Sequence, residues 1–471
     1  SLGSRRERPL QEVMQHGDEI GGVAIASGWL GYRLRYSAAV ATATRIGRPI
    51  GRPRRPHTIA AATLTEDPAE SARPGPDAAG RGGVILFALA ALQFIGIVDF
   101  MIVMPLGPQL LADLGIDARR FSWVVSAYTL SAGLAGFLAA PWLDRVPRKA
   151  AYLTFSLGLL AGTAACGLAT TYPLLLAARS VTGGFGGVHG ALALAIVADV
   201  FPPERRGRAT GMLMLAFAVA SVVGVPLGIV LGTRFGWQTP FFTLAALGLP
   251  LLALAARALP PSAAPVDGPR RHPLGHLLET LTIPAHRRGF ALIALLMIGA
   301  FSVIPFIGTS FVANVGVTVS HRPAVVVSGG VLTRGGPPLV GRLVDRFGAI
   351  AVFRGVVPLS AAMMLVLTHL PAVGIAVAAP VAAVLMATNA GRMVTAMALI
   401  TSSIEPRRRG SFMSANAAVQ HVASGLGATL GGMIVAGGAG EPLRNFGVVG
   451  MLAASVTIAS LWLAARIRPV A

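Results

Sequence analysis

Residues 139–149 read AAPWLDRVPRK, and residues 340–348 read VGRLVDRFG. Each places an acid and several cations at the end of a long stretch almost free of charge, and the two acids, Asp144 and Asp345, are 201 residues apart. Bursts of charge between apolar runs mark turns at a membrane surface, and a burst that recurs at a fixed offset marks a repeat. The rest of the chain agrees. Its 471 residues are 54% hydrophobic and 12% charged, with a mean hydropathy of +0.69, whereas a soluble domain carries about 25% charged residues.

From residue 83 onward, apolar runs of about 20 residues, the length a helix needs to cross a bilayer, recur twelve times. They fall near 83–107, 121–141, 150–170, 173–199, 209–232, 239–257, 290–313, 323–341, 349–369, 373–402, 411–437 and 446–465. Lipid offers backbone groups no partner, so each run is expected to be helical. With a cytoplasmic N-terminus, the inner loops and tail hold nineteen Arg and Lys residues and the outer loops five. That asymmetry is the positive-inside pattern, and it places both termini in the cytoplasm.

The longest inner connection, 258–289, is rich in Pro, His and Arg and divides the spans six and six. The expected organisation is therefore an N-terminal six-helix bundle over 83–257, a cytoplasmic linker over 258–289, and a C-terminal bundle with a short tail over 290–471. PPERRGR at 202–208 matches EPRRRGS at 405–411, and an offset of 203 carries Gly207 onto Gly410, Gly224 onto Gly427 and Gly228 onto Gly431. Parallel repeats of six spans are an architecture of secondary transport.

Residues 1–82 differ in kind, with twelve arginines and the stretch RIGRPIGRPRRP at 45–56. This composition reads as a disordered cytoplasmic extension. The lack of a leading methionine and of a cleavage pattern leaves a misassigned gene start open beside a functional tail. The net charge of +20 sits between apolar runs and not in a basic stripe interleaved with aromatics, which excludes a nucleic-acid partner. Cys166 lies alone inside an apolar run, so no disulfide framework exists and the thiol reads as a small core residue.

Several motifs together resemble the major facilitator superfamily, within it the arabinose-efflux-permease-like branch of the twelve-span drug:proton antiporters. APWLDRVPRK is similar to the signature of the loop after the second span, and GRLVDRFG repeats it after the eighth. Arg179 with SVTGG resembles the arginine motif of the fourth span. GVPLG at 224–228 with Gly236 and Trp237 resembles the antiporter motif of the fifth, and DFMIVMPLGPQL (99–110) and GRMVTAMALI (391–400) add branch-level likeness. Ala140, Pro147, Ala349 and Ile350 depart from the signature. The resemblance implies an all-α membrane fold of two pseudo-symmetric six-helix bundles. It also implies a proton-coupled exporter of drugs, sugars or metabolites in the bacterial inner membrane.

Individual residues sharpen that expectation. Asp99 is the one acid deep within any proposed span, and a lone carboxylate in hydrocarbon is costly enough to need a cavity or a partner. It is the candidate proton carrier, the alternative being a structural bond to a helix break near Gly96. Counting from the outer span ends, Asp99 and Arg179 differ in depth by about 3 Å at 1.5 Å per residue. They can therefore pair, and the resemblance implies a coupling role for Arg179; the alternative is snorkelling.

The 203 offset sets His189 opposite Arg392, two mid-span groups that suit a substrate cavity, although His189 also reads as a satisfied core histidine. Asn416 and Gln420 share a helix face, and Gln93 and Asn389 are weaker cavity candidates; interhelical hydrogen bonding is the competing reading. Arg334 has no assigned role. Gly224, Gly228, Gly427 and Gly431 are expected to let helices approach closely, and Pro226 to bend the fifth span. Asp144 with Arg145 and Arg148, and Asp345 with Arg346, form a proposed inner-face latch. The resemblance implies partners at the helix starts near Gly410 and Gly207.

No phosphate loop, dinucleotide fingerprint or metal-ligand spacing occurs. The expectation is a transporter and not an enzyme, monomeric, without metal or cofactor, driven by the proton gradient. Its partners are a small-molecule substrate, protons and lipid. An uncoupled facilitator, or a non-transporting scaffold or sensor on the same fold, remains the alternative.

Overall fold

The computed structural model describes residues 76–143, 146–261, 279–280, 282–318, 336, 338–405 and 408–467. The N-terminal extension up to residue 75, most of the 258–289 linker, most of the eighth span with Arg334, and Asp144 and Arg145 lie outside the described residues. Residues Pro74–Ala471 form one compact unit, and among the described residues it is helical, with one isolated β-bridge between Ala436 and Arg444.

The chain runs through α1 (Pro76–Ile102), short α2 (Gly107–Asp113), α3 (Ala118–Leu143), α4 (Arg148–Leu168) and α5 (Tyr172–Val200). The fifth span is α6 (Pro203–Val219), a π turn (Ala220–Gly224) and α7 (Val225–Phe235), followed by α8 (Thr239–Ala258). The second half begins with α9 (Pro284–Val303), a 3₁₀ turn (Ile304–Phe306) and short α10 (Ile307–Ala313). After helical residues 338–347 come α11 (Ala349–Thr368), α12 (Ile375–Ser402), α13 (Arg409–Ile434) and α14 (Phe446–Ala464).

Ten of these segments are long and apolar enough to cross a membrane. Helix α13 spans 26 residues but is not one of the ten, because its sequence is diluted by Gly, Ser, Asn, Gln and His. Those small and polar residues serve contact between helices and not lipid. Phe87, Leu138, Leu174, Phe217, Leu247 and Trp462 are exposed, which a soluble protein would avoid and which lipid satisfies.

The repeat is visible in the breaks. The first span ends in a turn at Pro105 before α2, and the seventh breaks around Pro305 before α10. Proline removes a backbone donor and crowds the preceding turn, so each interrupts its helix. The two short helices then meet: a Cβ on Gly107 would stand 2.9 Å from Thr309 Oγ1, and one on Gly308 would stand 3.2 Å from Pro105 Cα. The bend expected at Pro226 takes the form of the π turn just ahead of it, which absorbs the hydrogen bond that proline cannot donate.

The glycine ladders do what their spacing suggests. Gly228 and Gly232 lie against Ile102 and Leu106, where a Cβ on either glycine would stand 2.6 Å from the neighbouring side chain, and Gly224 lies against Val98 and Phe94. The second ladder packs on backbone: a Cβ on Gly427 would be 2.7 Å from the Ile298 carbonyl, and Gly431 faces the Ser302 carbonyl. Thus the fifth span clasps the first and the eleventh clasps the seventh.

The two halves are joined most extensively by α3 and α13. Gly432 sits on Ser122, Gly425 on Leu130, Gly133 on Val422 and Gly136 on Ala418. Ser126 Oγ donates to the Gly425 carbonyl at 3.0 Å, and Thr429 Oγ1 donates to Ser126 Oγ at 2.9 Å. At the arginine-poor end the seam closes with Ala118 N–H donating to the Gly437 carbonyl at 3.0 Å.

Candidate functional site

Three helices converge on Asp99. Arg179 Nη1, from α5, stands 3.0 Å from Asp99 Oδ2 and 3.3 Å from its carbonyl oxygen. Thr163 Oγ1, from α4, lies 3.0 Å from Asp99 Oδ1 and 2.9 Å from the Leu159 carbonyl. A hydroxyl has one proton, so Thr163 serves either the carboxylate or the helix backbone at a given moment. Asp99 is 0% and Arg179 1% exposed, so the pair is sealed from water in this conformation.

The fourth wall is α3. The Arg179 guanidinium lies 4.4 Å from the centre of the Tyr128 ring, a cation–π contact that adds to the ion pair in a desolvated setting. Tyr128 in turn packs on Phe100, 5.2 Å between centroids, and Phe100 reaches Phe301 of the second half at 6.1 Å. Cys166 Sγ sits 3.6 Å from Thr182 Oγ1 and is buried, the core role its sequence suggested.

Small residues make this convergence possible. Gly162 abuts the Thr182 backbone, where a Cβ would come within 2.9 Å of Cα, and Gly183 abuts the Tyr128 backbone, 2.7 Å from Cα. Gly183 of SVTGG, on the α3 side, and Gly162 of α4 are therefore what let α5 carry Arg179 against α3 and α4. On the far side of α1, the π turn and Gly224 press on Val98, the neighbour of Asp99. Pairing of Asp99 with Arg179 follows from the depth argument. Thr163 was missed, yet the same count would have found it, since it lies five residues from the end of α4. Tyr128 had no such signal, because its contact is with the face of a ring.

The cavity candidates distribute between the halves. His189 is 2% exposed, stacks on Tyr152 at 4.9 Å, and has no partner on Nε2. Gln93 lies against Gly190, with Nε2 3.2 Å from where a Cβ would stand, and its Oε1 has no partner. Asn416 is buried, faces Met397 Sδ at 3.9 Å, and leaves Oδ1 unpaired; Gln420, one turn on, is half-buried. Asn389 Oδ1 accepts from Ser360 Oγ at 3.1 Å, the interhelical bond that was its alternative reading. Arg392 donates to Thr457 Oγ1 at 2.9 Å and to the Leu296 carbonyl at 3.1 Å. His189 and Arg392, matched by the repeat, are thus each held by contacts within their own half.

At the arginine-rich face, Arg148 pairs with Asp199 of α5 at 2.7 Å, half-exposed, and Lys149 Nζ donates to the Leu259 carbonyl at 2.6 Å. Both of these contacts lie within the first half. Asp345 and Arg346 are exposed, with Arg346 over the Phe347 ring at 5.1 Å. Among the described residues no atom of another element stands within 4 Å of a Cβ at Gly207 or Gly410, and Asp144 and Arg145, the first latch pair, lie outside the described residues.

The profile of the Major Facilitator Superfamily matches residues 89–428. The chain belongs to the major facilitator superfamily. It is 28% identical over 374 residues to a chloramphenicol resistance protein of Streptomyces lividans, covering 77% of this chain and 91% of that one. An uncharacterised transporter of the superfamily, YceJ of Bacillus subtilis, is 25% identical over 373 residues, covering 79% and 93%. Multidrug resistance protein 3 of Bacillus subtilis is 31% identical over 140 residues, 30% of this chain and 27% of its own. Among solved structures, a bacterial homologue of the lysosomal transporter Spinster superposes with a TM-score of 0.63 at 17% identity, covering 82% of this chain and 97% of that one. A peptide transporter gives 0.64 at 14%, covering 81% and 94%. The major facilitator chain described here is a multi-pass membrane transporter and not an enzyme.

Proposed function

We propose that this transporter exports small drug-like or metabolite molecules from the bacterial cytoplasm across the inner membrane in exchange for protons. Asp99 carries the proton and Arg179 is its partner. The observation that carries the reading is the ion pair at 3.0 Å with both side chains sealed from water. A protein gains little net stability from such a pair, because desolvation offsets the attraction, whereas breaking one half of it costs about 3–5 kcal/mol. That asymmetry makes it a switch. A proton placed on an Asp99 oxygen removes the negative charge, leaves Arg179 facing only dipoles and the Tyr128 ring, and frees α1 from α5.

The seam between α3 and α13 supplies what such a switch can move. Its glycines Gly133, Gly136, Gly425 and Gly432, set against Val422, Ala418, Leu130 and Ser122, bring the two helices close through small-residue packing of the kind that lets helices slide and part. The nineteen-to-five distribution of cations supports cytoplasmic termini, so the closed, arginine-poor end is the outer one and the present conformation is closed outward. The likeness to a chloramphenicol resistance protein supports export and puts chloramphenicol first in a substrate panel.

The test is efflux from proteoliposomes holding the full chain. An imposed pH gradient is expected to drive substrate movement that a protonophore abolishes. Transport that proceeds undiminished with the gradient collapsed would establish the facilitator reading instead.

A further inference from the structure

One buried cation has no acidic partner. Arg392 is 2% exposed, and its two hydrogen bonds among the described residues go to a hydroxyl, Thr457 Oγ1, and a backbone carbonyl, that of Leu296. Both are neutral, and they occupy two of the five donors a guanidinium offers. The sequence removes the usual remedy. From residue 290 to the C-terminus the acids are Asp345, Glu405 and Glu441, all exposed near helix ends. Asp99, the one acid inside a span, is committed to Arg179. The described spans therefore hold two buried guanidiniums and one carboxylate.

Arginine does not shed its proton at any physiological pH, and a full charge away from water is costly unless an opposite charge meets it. The repeat adds a second observation. An offset of 203 places Arg392 on His189 and Leu296 on Gln93. In the first half those two positions carry the buried, partnerless atoms His189 Nε2 and Gln93 Oε1. The position of Arg392 is thus one of unmet polar demand in both halves, a hydrogen bond at His189 in the first and a charge in the second, and Leu296, opposite Gln93, meets the guanidinium only with its carbonyl.

We infer that Arg392 is the counter-charge for an anionic ligand, and that the substrates of this exporter include organic carboxylates whose head group it binds. The carboxylate accepts from the guanidinium in the forked geometry the two groups share. Calling the ligand a substrate rests on the export reading above; binding itself does not.

The experiment is thermal unfolding of the full chain in nanodiscs in chloride-free buffer. The probes are sodium benzoate, its neutral isostere benzamide, and sodium chloride. Benzoate is expected to raise the unfolding midpoint saturably in the natural chain. Benzamide is expected to leave it in place, Arg392→Gln to abolish the benzoate shift, and Arg392→Lys to retain part of it. Should Arg392→Gln fail to fold, Thr457→Asp, which supplies a fixed carboxylate beside the guanidinium, is expected to be insensitive to benzoate. An equal shift in Arg392→Gln or Thr457→Asp, or no shift in the natural chain, would overturn the proposal, and a shift produced by chloride alone would replace the organic ligand with an inorganic counter-ion. Loss of the benzoate shift with pH-driven efflux intact would remove only this inference. Loss of efflux with the shift intact would remove only proton coupling.

Discussion

Asp99 and Arg179 depend on each other more than either depends on the rest of the protein. Arg179→Ala leaves a carboxylate buried with only Thr163 to meet it, and is expected to cost about 3–5 kcal/mol. Adding Asp99→Asn to that variant is expected to recover a large part of the loss, because no uncompensated charge remains. Unfolding midpoints of the four members of this cycle check the claim, and additive losses would show that the pair is not the coupled unit described. The ion pair was legible in the sequence because charged residues are rare inside spans and helical rise converts position into depth. The Thr163 and Tyr128 contacts were less so, since a hydroxyl or a ring is common in membrane helices and carries no signal until the neighbouring helix is known.

Helices here are placed by what their glycines omit. In the fifth span Gly228 leaves room that a Cβ would take from Ile102, at 2.6 Å. Gly228→Val is expected to destabilise by about 1–3 kcal/mol through overpacking, and Ile102→Ala in the same chain to relieve it. A Gly228→Val variant as stable as the natural chain by thermal unfolding would mean that the clasp has slack. The seam between halves is tested differently. Gly136 and Ala418 approach so that a Cβ on the first lies 3.3 Å from the Cβ of the second, close to the spacing of about 3.5–4.5 Å that a disulfide needs. Paired cysteines at these positions, with Cys166→Ala, are expected to crosslink and stop transport until reductant restores it. Transport that continues through the crosslink would show that the halves need not separate there. The ladders were legible from spacing, but their partners were not: Gly427 and Gly431 rest on main-chain carbonyls, which no residue pattern names. The π turn was foreseen only as a bend, because proline marks where a helix yields and not how.

At the scale of the whole described unit, the two halves are held together at their arginine-poor end. The arginine-poor ends of the halves meet through α2, α10 and the α3–α13 seam, with Gly107 against Thr309 and Gly308 against Pro105. The cation asymmetry gives an expected direction, which labelling tests. The helical architecture was legible because apolar runs of membrane length recur along the chain, ten of them among the described residues. The conformation was not, because a sequence encodes every state of the cycle together. If the arginine-rich face is cytoplasmic, a cysteine replacing exposed Arg346 is expected to react with an impermeant maleimide in inside-out vesicles and to be protected in right-side-out ones; the reverse labelling would invert the topology and the direction of export. The central claim is that one sealed carboxylate couples this transporter to the proton gradient. It is tested most directly by comparing pH-gradient-driven efflux in proteoliposomes of the natural chain and Asp99→Asn. The account predicts that Asn, which cannot take up and release the proton, reduces gradient-driven efflux to the level seen without a gradient, and undiminished gradient-driven efflux in Asp99→Asn would contradict it.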